Sequence, residues 1–149
     1  MDFYFTSDEQ RRYALACLSF AQKIGLIDDT SLDAVADRCA AENVKRSVAL
    51  EKGEIVYGLK EFTLPVYLDW ELTRFRLDFV SEKDVIKKHY SYKPIENKEL
   101  KAYFKNNRDL FTRYGGDKFR FGETKTVIYK KIREEQYDAE INAILRQLS

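Results

Sequence analysis

Apolar residues recur every three or four positions along most of the chain, the signature of helices with one buried face. Over residues 8–24, Ala14, Leu15, Cys17, Leu18, Ala21 and Ile24 form such a stripe. Ser7 with Gln10 three residues on has the spacing of a capping box, and Gly25 stops the helix. A second stripe of Leu32, Val35, Ala36, Cys39, Ala40, Val44 and Val48 predicts a helix from Thr30 or Ser31 to about residue 51, with all seven on its buried face. Glu42 and Arg46 stand one turn apart on it as an ion pair. Lys52-Gly53 ends that helix, and Ile55-Val56-Tyr57-Gly58-Leu59 reads as extended, a short strand or a packed arm.

Thr63 as N-cap, with Pro65 in the first turn, opens a third helix that reaches about residue 81. Its apolar positions make two stripes: Leu68, Leu72, Phe75 and Phe79, then Val66, Trp70, Leu77 and Val80. A helix apolar on two sides is expected to be central and packed on both. Phe75, Leu77 and Phe79 also alternate with charged residues as a strand would, but length and the cap favour helix. Residues 81–94 form a basic connector with room for a helical turn. A fourth helix is expected over 97–114, broken at Gly115-Gly116. A short extended piece over 118–121 leads to a final helix over 123–148, whose apolar stripe slips in phase near Glu135. The expected fold is all-α with minor extended segments, a layered bundle of about five helices. It forms one domain over 1–149, in which a helical hairpin (1–53) meets an arm, a central helix and C-terminal helices (54–149).

Composition sharpens this only in places. At 149 residues, 44% hydrophobic and 34% charged, the chain can bury a core unaided. Ten Tyr, ten Phe and one Trp exceed what a core of this size usually takes, so some are expected on a contact surface. Residues 1–83 hold 11 Lys/Arg against 15 Asp/Glu, and residues 84–149 hold 15 against 10, so charge runs from a balance of −4 to +5 along the chain. Basic residues interleaved with aromatics over 101–133 suit phosphate, but Glu96, Glu99, Asp109, Glu123, Glu134 and Glu135 dilute them, and nucleic acid is only a second alternative. Cys17 and Cys39 fall at apolar helical phases and read as buried thiols, with a disulfide between them open only to an exported chain. No signal peptide or membrane-length apolar run is present, so the sequence as written reads as cytoplasmic, or extracytoplasmic if an export signal once preceded it.

Candidate chemistry is sparse. His89 is the one histidine and reads as a surface residue of the connector. Asp28-Asp29 and Glu134-Glu135 are sequence neighbours that face different ways on a helix, and no phosphate loop, nucleophile elbow or metal-ligand spacing occurs. No catalytic residue, metal or cofactor is expected.

Residues 95–111 do resemble something known. Ile95, Glu99-Leu100-Lys101, Tyr103-Phe104, Asn107-Arg108 and Phe111 look like the I-x-x-x-E-L-K-x-Y-Y-x-x-N-K-x-x-F helix of SurA- and PrsA-type chaperones, the parvulin-linked foldases. The last helix, 123–148, is similar to the C-terminal helix of their chaperone domain, and the first two helices with the 57–63 arm suit its N-terminal part. The interval between Phe111 and Glu123 cannot hold a prolyl isomerase domain. The resemblance thus implies the chaperone half without the enzyme, a non-catalytic holder of extended apolar polypeptide segments. Tyr57, Phe62, Tyr67 and Trp70, with Tyr90, Tyr92, Tyr103 and Phe119 from the basic side, are the residues expected to line its cleft. The alternatives are a dedicated adaptor for one protein partner and a homodimer joined through the last helix.

Overall fold

The computed structural model describes residues 5–112 and 119–148. Among these residues six α-helices follow one another: α1 (Asp8–Lys23), α2 (Leu32–Glu51), α3 (Leu64–Val80), α4 (Asp84–Lys87), α5 (Asn97–Asn106) and α6 (Phe121–Leu148), with a 3-10 turn (Arg108–Phe111) after α5. No strand occurs among the described residues, and the fold is all-α as the periodicity predicts.

The helix starts and stops follow from particular side chains. Ser7 caps α1 by accepting from Gln10 N at 3.1 Å, but the Gln10 carboxamide bonds Thr6 N and Thr6 Oγ1, so the box closes one residue further out than expected. Ser31 caps α2 through Ala34 N at 3.1 Å. Thr63 makes no side-chain cap bond, and α3 starts on the preset φ of Pro65. Three helices end the same way, with a left-handed residue and a wide-ring backbone bond that satisfies a terminal carbonyl. Gly25 (φ +85°) with Leu26 N to Ala21 O at 2.9 Å closes α1, and Gly53 (φ +74°) with Glu54 N to Ala49 O at 2.9 Å closes α2. At the end of α3 a glutamate, Glu82, takes that strained place at φ 53°.

α6 is the spine. Its 28 residues span about 42 Å at 1.5 Å per residue, and α1, α3 and α5 pack against it. Three apolar clusters result. The first joins Ala14 and Leu18 of α1, Val35 and Cys39 of α2, Phe62, and Tyr67, Leu68 and Phe75 of α3. The second joins Cys17, Phe20 and Ile24 of α1, Phe79, Ile86, and Tyr137 and Ile141 of α6. The third joins Phe104, Phe111, Ile128 and Ile132. α2 packs chiefly on α3, while α1 lies along α6 and α3.

Several expectations need correction. Only Val35 and Cys39 of the α2 stripe are fully buried; Val44 is 63% exposed and Val48 is exposed too, because the five-residue step from Cys39 to Val44 carries them to the opposite side of the helix, while Asn43 and Arg46 continue the covered face. Val66 and Leu77 of the second α3 stripe also face solvent. The fourth helix is shorter than expected and tightens into the 3-10 turn, and α6 begins two residues early. The expected reach of the fourth helix to Tyr114 and its stop at Gly115-Gly116 lie outside the described residues. Both cysteines are buried and free. No helix among the described residues is long and apolar enough to cross a membrane.

Candidate functional site

The aromatic residues expected to line one cleft are distributed over all three clusters. Phe62, Tyr67 and Trp70 stack on one another with ring centroids 5.3–5.7 Å apart, Phe62 and Tyr67 buried and Trp70 half-buried. Tyr90 and Tyr92 close over Phe79 in the second cluster, and the Tyr92 hydroxyl donates to Phe79 O. Tyr103 donates to Glu135 Oε1 at 3.3 Å, and Phe119 packs on the third cluster. Of the eight, Tyr57 alone is exposed. The eight rings are thus divided among the three clusters and the arm.

The buried polar groups are also committed. Glu71 is 5% exposed and accepts from Arg38 Nε and Nη2 at 2.8 and 2.7 Å, and from the Tyr67 hydroxyl at 2.7 Å, tying α2 to α3. Arg133 of α6 is 2% exposed and holds the connector: Nη1 donates to Lys93 O at 2.6 Å, and Nη2 to Glu82 Oε1 at 3.2 Å and Tyr129 at 3.1 Å. The Arg133 guanidinium also lies 4.7 Å over the Tyr92 ring, while its Nε has no partner. Cys17 sits among Tyr13 and Tyr137, and burial pushes its thiol up to about 11. Burial likewise raises Tyr13 to about 12, and raises Tyr137 and Tyr67 further. These groups are arranged to hold protons and to tie elements together. Among the described residues, no cluster of three or more His, Cys, Asp or Glu could hold a metal.

Two surface features stand apart from this framework. The first is a cleft of about 720 Å³ between the start of α1 and the end of α6, lined by Thr6, Gln10, Tyr13, Asn142, Leu145 and Arg146. A second depression of about 510 Å³ adjoins it toward α3, lined by Phe5, Pro65, Leu68 and Arg76, and it shares Gln10 and Tyr13 with the first. The Tyr13 ring stands between the two, 42% exposed.

The other feature is the arm over 54–60. Arg46 holds it from α2: Nη1 donates to both Tyr57 O and Leu59 O at 2.7 Å, and Nε donates to Glu42 Oε1 at 3.1 Å. The guanidinium lies 4.6 Å from the Phe62 ring centre. Asn43 fixes the far end, receiving from Phe62 N at 2.7 Å and donating to Phe62 O at 3.0 Å. So fastened, the arm leaves Ile55 (78% exposed), Tyr57 (81%) and Leu59 facing solvent. The sequence showed the Glu42–Arg46 pair but not the carbonyls that Arg46 also binds, because backbone acceptors leave no mark in a residue pattern.

No protein-family model matches this sequence, and no curated protein matches it. Among solved structures, the native and selenomethionine crystal structures of the GH136 lacto-N-biosidase from Eubacterium ramulus share the fold, with TM-scores of 0.77 and 0.76 and identities of 21% and 22%. The match covers 91% and 92% of this chain but only 28% of that chain in each case, so this chain spans under a third of its neighbour's length. The SurA/PrsA chaperone expectation is overturned: the fold is one found in a glycoside hydrolase.

Proposed function

We propose that this chain works in carbohydrate processing, as the helical component of a glycoside hydrolase whose bond-cleaving residues lie on polypeptide beyond this fold. The carrying observation is the lopsided match. Nearly all of this chain corresponds to a minor share of a lacto-N-biosidase, leaving most of that enzyme outside the correspondence. Hydrolysis of a glycosidic bond ordinarily takes two carboxyl groups facing one another across the sugar, one to donate a proton and one to attack or activate water. Here the buried Glu71 and the half-buried Glu82 are occupied by guanidinium and phenol donors, which supports a structural duty for them. The test uses affinity-tagged chain produced in its source cells, with a chromogenic lacto-N-bioside as substrate. Purified chain alone is expected to release no chromophore, whereas material recovered gently on the tag is expected to release it. Turnover by the isolated chain, or an inactive recovered fraction, overturns the reading.

The Tyr13 cleft favours a second reading, in which the helical unit itself touches the glycan. A phenol ring flanked by the Gln10 and Asn142 carboxamides and the Arg146 guanidinium offers an apolar face for a pyranose and donors for its hydroxyls. Titration with lacto-N-biose, followed by NMR, should shift resonances of Tyr13 and Asn142, and Tyr13→Ala should abolish the shifts. Unchanged spectra at millimolar sugar remove this reading and leave the first intact.

A further inference from the structure

We propose that the Tyr13 cleft takes a pyranose carrying a carboxylate, a sugar acid rather than a neutral sugar; the inference rests on the second reading above and names the ligand class of that site. The cleft, about 720 Å³, is the size of a small-ligand site, ~300–1,000 Å³. Two pairs of side chains line it from two helices. Gln10 and Tyr13 stand three residues apart on α1, and Asn142 and Arg146 four apart on α6, spacings that put each pair on one face of its helix. Gln10 is fixed before any ligand arrives, because its Oε1 accepts from Thr6 N at 2.8 Å and from Thr6 Oγ1 at 2.7 Å. With the acceptor end so occupied, the Nε2 hydrogens are the part of this carboxamide left for a ligand.

Arg146 decides the ligand class. It is exposed and makes no ion pair among the described residues. Glu9, the carboxylate on the lining, forms none with it, so this guanidinium still lacks a counter-charge. Arg12, the other cation there, is already engaged, and Arg146 is the one left for a ligand. Gln10 Nε2 and the guanidinium donate and cannot accept, which biases the cleft toward acceptors. A sugar hydroxyl both donates and accepts, whereas a carboxylate only accepts, and the planar guanidinium fork matches its two oxygens. The Tyr13 ring, 42% exposed, supplies the apolar wall for a pyranose. A small acid such as acetate would use the guanidinium alone, while a sugar acid also uses the ring and the two carboxamides.

The test is an NMR titration of isotope-labelled chain with sodium glucuronate, glucose, lacto-N-biose and sodium acetate at one ionic strength. Three chains are compared: wild type, Arg146→Gln, and Lys130→Gln, which removes an exposed cation of α6 outside the cleft. All three should show the same helical circular dichroism. In wild type, glucuronate should shift resonances of Tyr13, Asn142 and Arg146 and bind at least about tenfold tighter than glucose, as a charge-assisted pair allows. In Arg146→Gln the two affinities should fall within about twofold of each other, while Lys130→Gln should keep the gap. Glucose or lacto-N-biose binding as tightly as glucuronate overturns the acid preference and spares the glycan reading, and so does a gap that survives Arg146→Gln. Acetate binding as tightly as glucuronate also overturns it, because the pyranose would then contribute nothing. Absence of shifts with every sugar defeats both.

Discussion

Glu82 shows how one residue is kept against its own conformational preference. A left-handed backbone costs a non-glycine residue on the order of 1–2 kcal/mol. Yet its carboxylate accepts from Tyr129 at 2.7 Å and from the buried Arg133 at 3.2 Å. Leaving a buried guanidinium without its counter-charge costs roughly 3–5 kcal/mol, so the ion pair outweighs the strain. Glu82→Ala should therefore lower the unfolding free energy by about 3 kcal/mol in urea melts, and Glu82→Gly by about 1 kcal/mol less, because it also relieves the backbone. Equal losses would show that φ at this position carries no cost. At Gly25 the reverse holds: a Cβ there would meet the His89 ring and oppose the left-handed φ, so no side chain is tolerated.

Cys17 gives the molecule an alkaline sensitivity. Desolvation raises the thiol from its ordinary value of 9.0 to about 11 in the folded state, so the folded chain holds this proton more tightly than the unfolded chain. That stabilisation is complete below pH ~9 and is lost as pH climbs toward ~11, at roughly 1.4 kcal/mol per pH unit. Melting temperature should fall across this window, and Cys17→Ala should flatten the fall between pH 9 and 10. A variant profile parallel to wild type would assign the loss to the tyrosines instead.

At the scale of elements, α2 and its arm behave as a clamp closed by Asn43 and Arg46. Arg46→Ala frees two arm carbonyls, so limited proteolysis should cut within 55–60 at least tenfold faster, while the melting temperature moves by no more than a few degrees. Uncut wild type and variant alike would mean that the arm is held by something else. Most helix bounds were legible because capping serines, Pro65 and the stop glycines are local signals, and α2 was placed to within about a residue at either end. Part of the α2 burial was also legible: the step from Cys39 to Val44 is five residues, which carries Val44 and Val48 round to the side opposite Val35 and Cys39. What the sequence concealed was long-range. Arg133 and Glu71 look like surface charges in the pattern because their partners stand 40 to 51 and 33 residues away. The aromatic surplus was real as a count, yet three clusters absorb it where one core had been assumed.

At the scale of the whole molecule, α6 supplies Tyr137 and Ile141 to the second cluster and Ile128 and Ile132 to the third, but nothing to the first. Tyr137 is fully buried and its hydroxyl lacks a full partner. Tyr137→Phe should thus be neutral or slightly stabilising, whereas Tyr137→Ala should cost about 3–5 kcal/mol, as large cavities in cores do. Calorimetry that finds the two variants alike would mean that this ring is not packed as described.

Because α6 follows every other helix in the chain, the order of synthesis matters. The first cluster needs only residues 14–75 and can close while translation continues. The other two lack Tyr137 and Ile141, or Ile128 and Ile132, until the ribosome has delivered α6.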